Sequence, residues 1–412
     1  MNKNVNRLKL LFLGILISGF IGLASFLFLI FEGFFVNILW HSSHDLSHNA
    51  VYVLIICLVG WIIMSSLKTR WGEDIPKTAH DSMKELKLNR TLSYNDIFKN
   101  ILSALLILIF GAGVGPEATL LSIVISFSVW EADKLRYFYY NSSRIKKLPF
   151  IEKLKCLASS DSCLHRYDEN RTIPLKKKKI LVSFFIINGL ISFTVLMNMT
   201  GQPSFITKMG SSFWNRNELW LILPLLLYGI LFGSIFNSMS KFIRKSFKRI
   251  EIPLILKTFI GSASIFIVAI LFPNLLFSGQ HSLHLVTEIG INESFIILFV
   301  LSVIKLIFLE ICLNTGWVGG NIFPVVFSAI LQGFAIAKLF PGMDTIFIVS
   351  VVSISIVMTI IKRPILSGFF VSLFFPIVLL PIEMSIIILF ALAEKILEKI
   401  KNRKEGHHTL KS

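Results

Sequence analysis

GAGVGPEATL, residues 111–120, lies between two apolar runs, 101–110 and 120–130. Three glycines, Pro116 and one carboxylate, Glu117, interrupt what would otherwise be a continuous apolar segment. Pro116 has no amide hydrogen and a fixed φ, which suits the first turn of a helix. Glu117 then falls in that turn, where unbonded amide hydrogens and the helix dipole favour an anion. The plain reading is a kinked helix with a capping glutamate. The sharper reading starts from cost: an ionisable side chain inside an apolar span is expensive and marks a functional site by default. A glycine-rich interruption that ends in a helix start builds an ion site in a membrane without stranding backbone groups.

Composition places that stretch in a membrane. Of 412 residues, 54% are hydrophobic and 16% charged, with a mean hydropathy of +0.74, against about 45–50% apolar and about 25% charged in soluble domains. The formal net charge is +17. Lys and Arg gather at the ends of apolar runs, which speaks for membrane orientation and against nucleic-acid binding. The four cysteines, Cys57, Cys156, Cys163 and Cys312, show no disulfide spacing, and Cys57 and Cys312 read as packing residues in apolar runs. An intramembrane enzyme is disfavoured, since there is neither an HExxH motif nor a glycine-framed serine nucleophile with a partner histidine. No catalytic residue, cofactor or metal is expected.

Residues 1–9 are basic and 10–31 are long enough to span, so the reading is a retained helix that starts in the cytoplasm. His41, His44 and His48 fall in a polar connection without Lys or Arg, read as an outer loop and not as a metal site. Residues 51–67 return, with Lys68 and Arg70 marking the inner end, and 71–90 form an amphipathic inner-surface stretch. There Ile75-Pro76 is expected to open a short helix with Asp74 as its cap. Residues 133–179 read as a basic cytoplasmic loop. Further spans follow at 180–199, 219–239, 259–272, 294–313, 346–361 and 364–392, and 399–412 are a basic cytoplasmic tail. Lys305 and Glu310 lie five apart in apolar surroundings, so each is expected to pair with another element. The chain is thus read as one membrane domain, 10–398, with both ends inside.

A second interruption, NTGWVGGNIFP at 314–324, has the same character as the first. One Gly/Pro break in each half points to a transport site between inverted repeats. Helix starts at such breaks aim partial positive charge at the midplane, so the site prefers an anion, and Glu117 can compete with it.

With these stretches in hand, the sequence resembles the CLC family of chloride channels and proton-coupled chloride transporters, over about residues 10–395. Gly115-Pro116-Glu117-Ala118 is similar to the family's glutamate-gate motif. Gly319-Gly320-Asn321-Ile322-Phe323-Pro324 is similar to its second anion-site motif. Gly72-Glu73-Asp74-Ile75-Pro76 resembles the first anion motif more weakly. The resemblance implies an all-α, polytopic, inverted-repeat bundle of broken and tilted helices. It also implies a homodimer with one pathway per subunit and permeation of chloride or another small anion, with protons as a possible second substrate and lipid around it. Fluoride carriage and a non-transporting scaffold are the alternatives. The chain departs from the pattern at four points. Glu73 stands where the first motif offers a serine hydroxyl, Ile322 where the second has phenylalanine, no tyrosine follows Tyr228, and the proton-relaying inner glutamate has no clear counterpart in 135–179.

Overall fold

The computed structural model describes residues 3–41, 49–159, 163–165, 175–200, 206–279 and 283–408; His44 and His48 lie outside them. Among the described residues the regular secondary structure is all helical, joined by turns and loops, with one isolated β-bridge. Seven helices among the described residues are long and apolar enough to cross a membrane, and the protein is a multi-pass membrane protein. It divides into two compact units, 1–111 with 116–203, and 112–115 with 204–412.

The first unit holds α1 (Lys3–Val36), α2 (Ala50–Trp71), α3 (Ala79–Asn89), α4 (Ile97–Ile109), α5 (Glu117–Tyr140), α6 (Ser142–Lys147), α7 (Phe150–Ala158) and α8 (Leu175–Met199). Small residues bring α1 and α8 together, as membrane helices require when lipid supplies no hydrophobic drive. A Cβ on Gly22 would come within 2.4 Å of the Gly189 carbonyl oxygen. Beside it the Asn188 amide donates to Ser18 Oγ at 2.8 Å and to the Ile15 carbonyl at 2.9 Å.

Three expectations for this unit are corrected. Asp74 caps no helix. α3 begins five residues later, behind Thr78, because Thr78 and Asp81 form a reciprocal capping box that satisfies two amides at once. The basic stretch 133–179 is also more than a loop: α5 runs through to Tyr140, and α6 and α7 follow.

Cys156 and Cys163 are joined in a disulfide, against the expectation of none. The small ring is fastened to α5. The Lys134 ammonium, fully buried, donates to the Cys156 carbonyl at 2.6 Å, and the His165 amide donates to the Asp133 carbonyl at 3.2 Å. Alkylation of purified protein under denaturing, non-reducing conditions is therefore expected to modify Cys57 and Cys312 alone. Reduction should add two further sites. Four modified cysteines before reduction would contradict the bridge.

The second unit holds α9 (Ile222–Arg249), α10 (Leu254–Leu271), α11 (Leu283–Asn292), α12 (Phe295–Asn314), α13 (Ile322–Ala337), α14 (Thr345–Ile361), α15 (Pro364–Ser372) and α16 (Leu380–His408). Its core is α13 against α14. Every residue of α13 from Phe323 to Ala337 is buried, and so is Ile346 to Met358 of α14. Lys305 and Glu310 of α12 both find partners on other elements. The Lys305 ammonium donates to the Leu275 and Phe277 carbonyls, at 2.8 and 2.5 Å. Glu310 accepts two bonds from the Arg244 guanidinium of α9, each 3.2 Å, the fork geometry that suits arginine to a buried carboxylate.

Candidate functional site

The two interruptions are built alike. α4 ends at Ile109, Phe110 caps it, and Gly111 follows with φ 89°. α12 ends at Asn314, Thr315 caps it, and Gly316 follows with φ 92°. This is the left-handed residue that commonly terminates a helix, where a Cβ is costly and glycine is not. Four residues beyond each of these glycines stands another, Gly115 and Gly320, and two residues beyond that a new helix starts, at Glu117 and at Ile322.

Gly115 and Gly320 are bonded to each other. The Gly115 amide donates to the Gly320 carbonyl at 2.7 Å and the Gly320 amide returns the bond at 2.6 Å, the isolated antiparallel bridge of the structure. Extended backbone at membrane depth must find partners inside the protein, and here each break supplies the other. The Gly115 and Gly320 amide hydrogens are committed to carbonyls, so neither is offered to an anion.

Packing around the bridge explains two more glycines. A Cβ on Gly319 would lie 2.4 Å from Val114 Cγ2 and 3.0 Å from the Gly115 carbonyl oxygen; one on Gly113 would lie 2.5 Å from the Phe308 ring. The Gly113 amide donates to Cys312 Sγ at 3.4 Å, so Cys312 is an acceptor as well as a packing residue. Gly319→Ala should cost about 1–3 kcal/mol through overpacking, seen as a lower unfolding temperature in detergent. Val114→Ala combined with it should restore part of the loss. Wild-type stability for Gly319→Ala alone would contradict the close approach.

The second interruption, read over 314–324, gives way to helix two residues before its proline. α13 begins at Ile322, before Pro324, because a proline in the first turn forfeits only an amide that has no intrahelical partner. Asn321 is the N-cap, and its side chain makes no capping bond. Phe323 packs edge-on against Phe370 of α15, ring centres 5.5 Å apart. In the first unit, Pro116 precedes α5 with helical φ and ψ, and Glu117 is its first residue, half-buried.

The stretch Gly72–Pro76 is organised by a residue that sequence reading took only as an inner-end marker. Lys68, 3% exposed, donates to the Glu73 and Ile75 carbonyls, each at 2.9 Å. Glu73 is exposed. The Lys77 ammonium binds Glu85 at 2.7 Å. The signal available in sequence was a lysine four residues before the glycine that ends its helix, a spacing that lets its ammonium reach the carbonyls beyond.

Residues 178–393 match the family model described as voltage gated chloride channel. The chain belongs to the voltage-gated chloride channel family. Among solved CLC-fold structures it is similar to a slow cyanobacterial Cl⁻/H⁺ antiporter, at 14% identity and a TM-score of 0.68, with 94% of this chain and 95% of that one covered. It is also similar to a CLC-type fluoride/proton antiporter, at 14% identity and a TM-score of 0.65, with 95% and 96% covered. No curated protein sequence matches the chain. The fold is the CLC fold over nearly the whole length, including the part before residue 178 that the family model leaves unmatched.

Proposed function

We propose that this CLC protein moves a small anion, chloride in the first instance, across the membrane in exchange for protons, with Glu117 as its gate. The observation that carries the reading is the repeated interruption: two residues after each of the bonded glycines, Gly115 and Gly320, a helix starts, and one of these helices starts with a carboxylate. Amides at a helix start attract an anion. In this reading Asn321, Ile322 and Phe323 at the start of α13 hold it by their backbone, with Gly319 and Pro324 shaping the turn. Pro116 and Ala118 flank the gate, which occupies the anion's place when ionised and leaves it when protonated. Both termini and 133–179 face the cytoplasm, where Lys and Arg concentrate. The protein works as a homodimer, with one pathway in each subunit.

The test is efflux of chloride from proteoliposomes with external pH recorded. Anion efflux with opposite proton movement supports the reading, anion efflux alone makes it a channel, and neither makes it a scaffold. Fluoride is the second reading, because the chain resembles a fluoride/proton antiporter about as closely as the chloride one. Comparing chloride with fluoride efflux decides between them.

A further inference from the structure

α8 packs along α1, and the pairings between them share one register. The Phe185 ring lies over Gly14, the Asn188 amide reaches Ser18, and Ser192 Oγ donates to the Gly19 carbonyl at 3.1 Å. The two hydrogen bonds join residues of α1 to residues 170 and 173 positions further on. The helices therefore run in the same direction, and their N-terminal ends lie together, with Lys9 level with Lys179. Lys3, Arg7 and Lys9 stand at that end of α1, and Lys176 to Lys179 at that end of α8. α1 has no acidic residue before Glu32, and α8 has none at all. Positive charge at helix ends is general in membrane proteins. Here two such ends are held side by side, and Lys9 and Lys179 are exposed.

Farther along the same pair of helices is an open cavity of about 510 Å³, lined on α1 from Leu16 to Leu23 and on α8 from Ser192 to Leu196. Gly19 and Ser192 leave the space, and the Ser192 hydroxyl gives its hydrogen to the Gly19 carbonyl, so the lining is apolar in effect. Leu16 and Phe20 at its edge are exposed. At the helical rise the groove begins about 10 Å beyond Lys9 and ends about 21 Å beyond it. Half the hydrocarbon thickness is about 15 Å. The groove thus lies at the depth of the lower acyl chain of a lipid whose headgroup sits at Lys9 and Lys179.

We propose that the α1–α8 groove binds one anionic phospholipid, with its phosphate at the paired basic ends and an acyl chain in the cavity. A neutral lipid finds the apolar wall but gains nothing from the cations, each of which attracts an anionic headgroup. A free phosphate finds the cations but leaves the groove empty. A second copy, related by a two-fold axis along the membrane normal, sets the same basic ends against each other.

Native mass spectrometry of the purified full-length protein tests this, with phosphatidylglycerol and phosphatidylcholine of identical chains titrated in turn. The wild type is expected to retain one phosphatidylglycerol at a concentration at least tenfold below that needed for phosphatidylcholine. Gly19→Leu should abolish that retention by filling the groove. A Cβ there meets only Asn188 Nδ2, at 3.8 Å, so the helix pair can keep its backbone. Lys9→Gln combined with Lys179→Gln, on exposed positions, should bring phosphatidylglycerol down to the phosphatidylcholine level. Glycerol phosphate, a headgroup without chains, should not compete. Equal retention of the two lipids by the wild type overturns the proposal, as does unchanged phosphatidylglycerol retention in either variant. Full competition by glycerol phosphate overturns the acyl-chain site. Unchanged retention in Gly19→Leu together with an altered oligomeric state assigns the groove to a second copy instead.

Discussion

Glu117→Gln is expected to give anion flux at least equal to wild type, independent of pH and without proton movement. The ionised carboxylate competes with the anion for the amides of a helix start, and protonation removes that attraction. Acid is therefore expected to open the path. While one carboxyl controls opening, wild-type flux should rise by up to about tenfold per unit fall in pH. Glutamine keeps the volume and removes the charge, so the variant should behave at every pH as the wild type does in acid. Flux measured from proteoliposomes across a pH series reads this directly. A Glu117→Gln protein that keeps the wild-type pH dependence would reduce Glu117 to a helix cap, the plain alternative that its place at the start of α5 also allows.

Gly320→Pro should have the second large effect, and through the fold. The Gly320 amide is half of the bridge between the two interruptions. Proline removes that hydrogen, a loss of about 3 kcal/mol or more where regular bonding is broken. It also leaves the buried Gly115 carbonyl without its donor, for about 1–3 kcal/mol further. Together these are a large share of a stability of about 5–15 kcal/mol, so little folded protein is expected in detergent. Asn321→Ala, one residue on, should be nearly silent, within about 0.5 kcal/mol, because the Asn321 side chain makes no capping bond. Size-exclusion profiles and flux of the two variants side by side check the pair. Loss of anion binding in Asn321→Ala with intact behaviour in Gly320→Pro would overturn the backbone account.

Much of this architecture is legible in the amino-acid sequence because a membrane enforces simple rules. Long apolar runs give the spans, and the Gly/Pro clusters at 111–116 and 314–324 mark where helices must stop and restart. The bridge between Gly115 and Gly320 is not legible, since a backbone-to-backbone pair leaves no side-chain signature and its partners are far apart in the chain. The glycines at 113 and 319 are explained only by Phe308 and Val114, which distance in sequence hides. Sequence marks Lys68 as the inner end of a span and leaves Lys305 in need of a partner on another element, but the backbone carbonyls that both bind are hidden from it. The Cys156–Cys163 bridge sits in a basic stretch whose charge dominates its reading. By contrast, Thr78 and Asp81 form a legible capping box that the proline at 76 outweighed.

Simultaneous recording of chloride and protons from proteoliposomes of the wild-type protein tests the central claim most directly. An outward chloride gradient is expected to drive protons inward against no proton gradient of their own, and an imposed pH gradient is expected to drive chloride in return. Vesicles containing the protein that release chloride no faster than empty ones, at any pH, would contradict the claim.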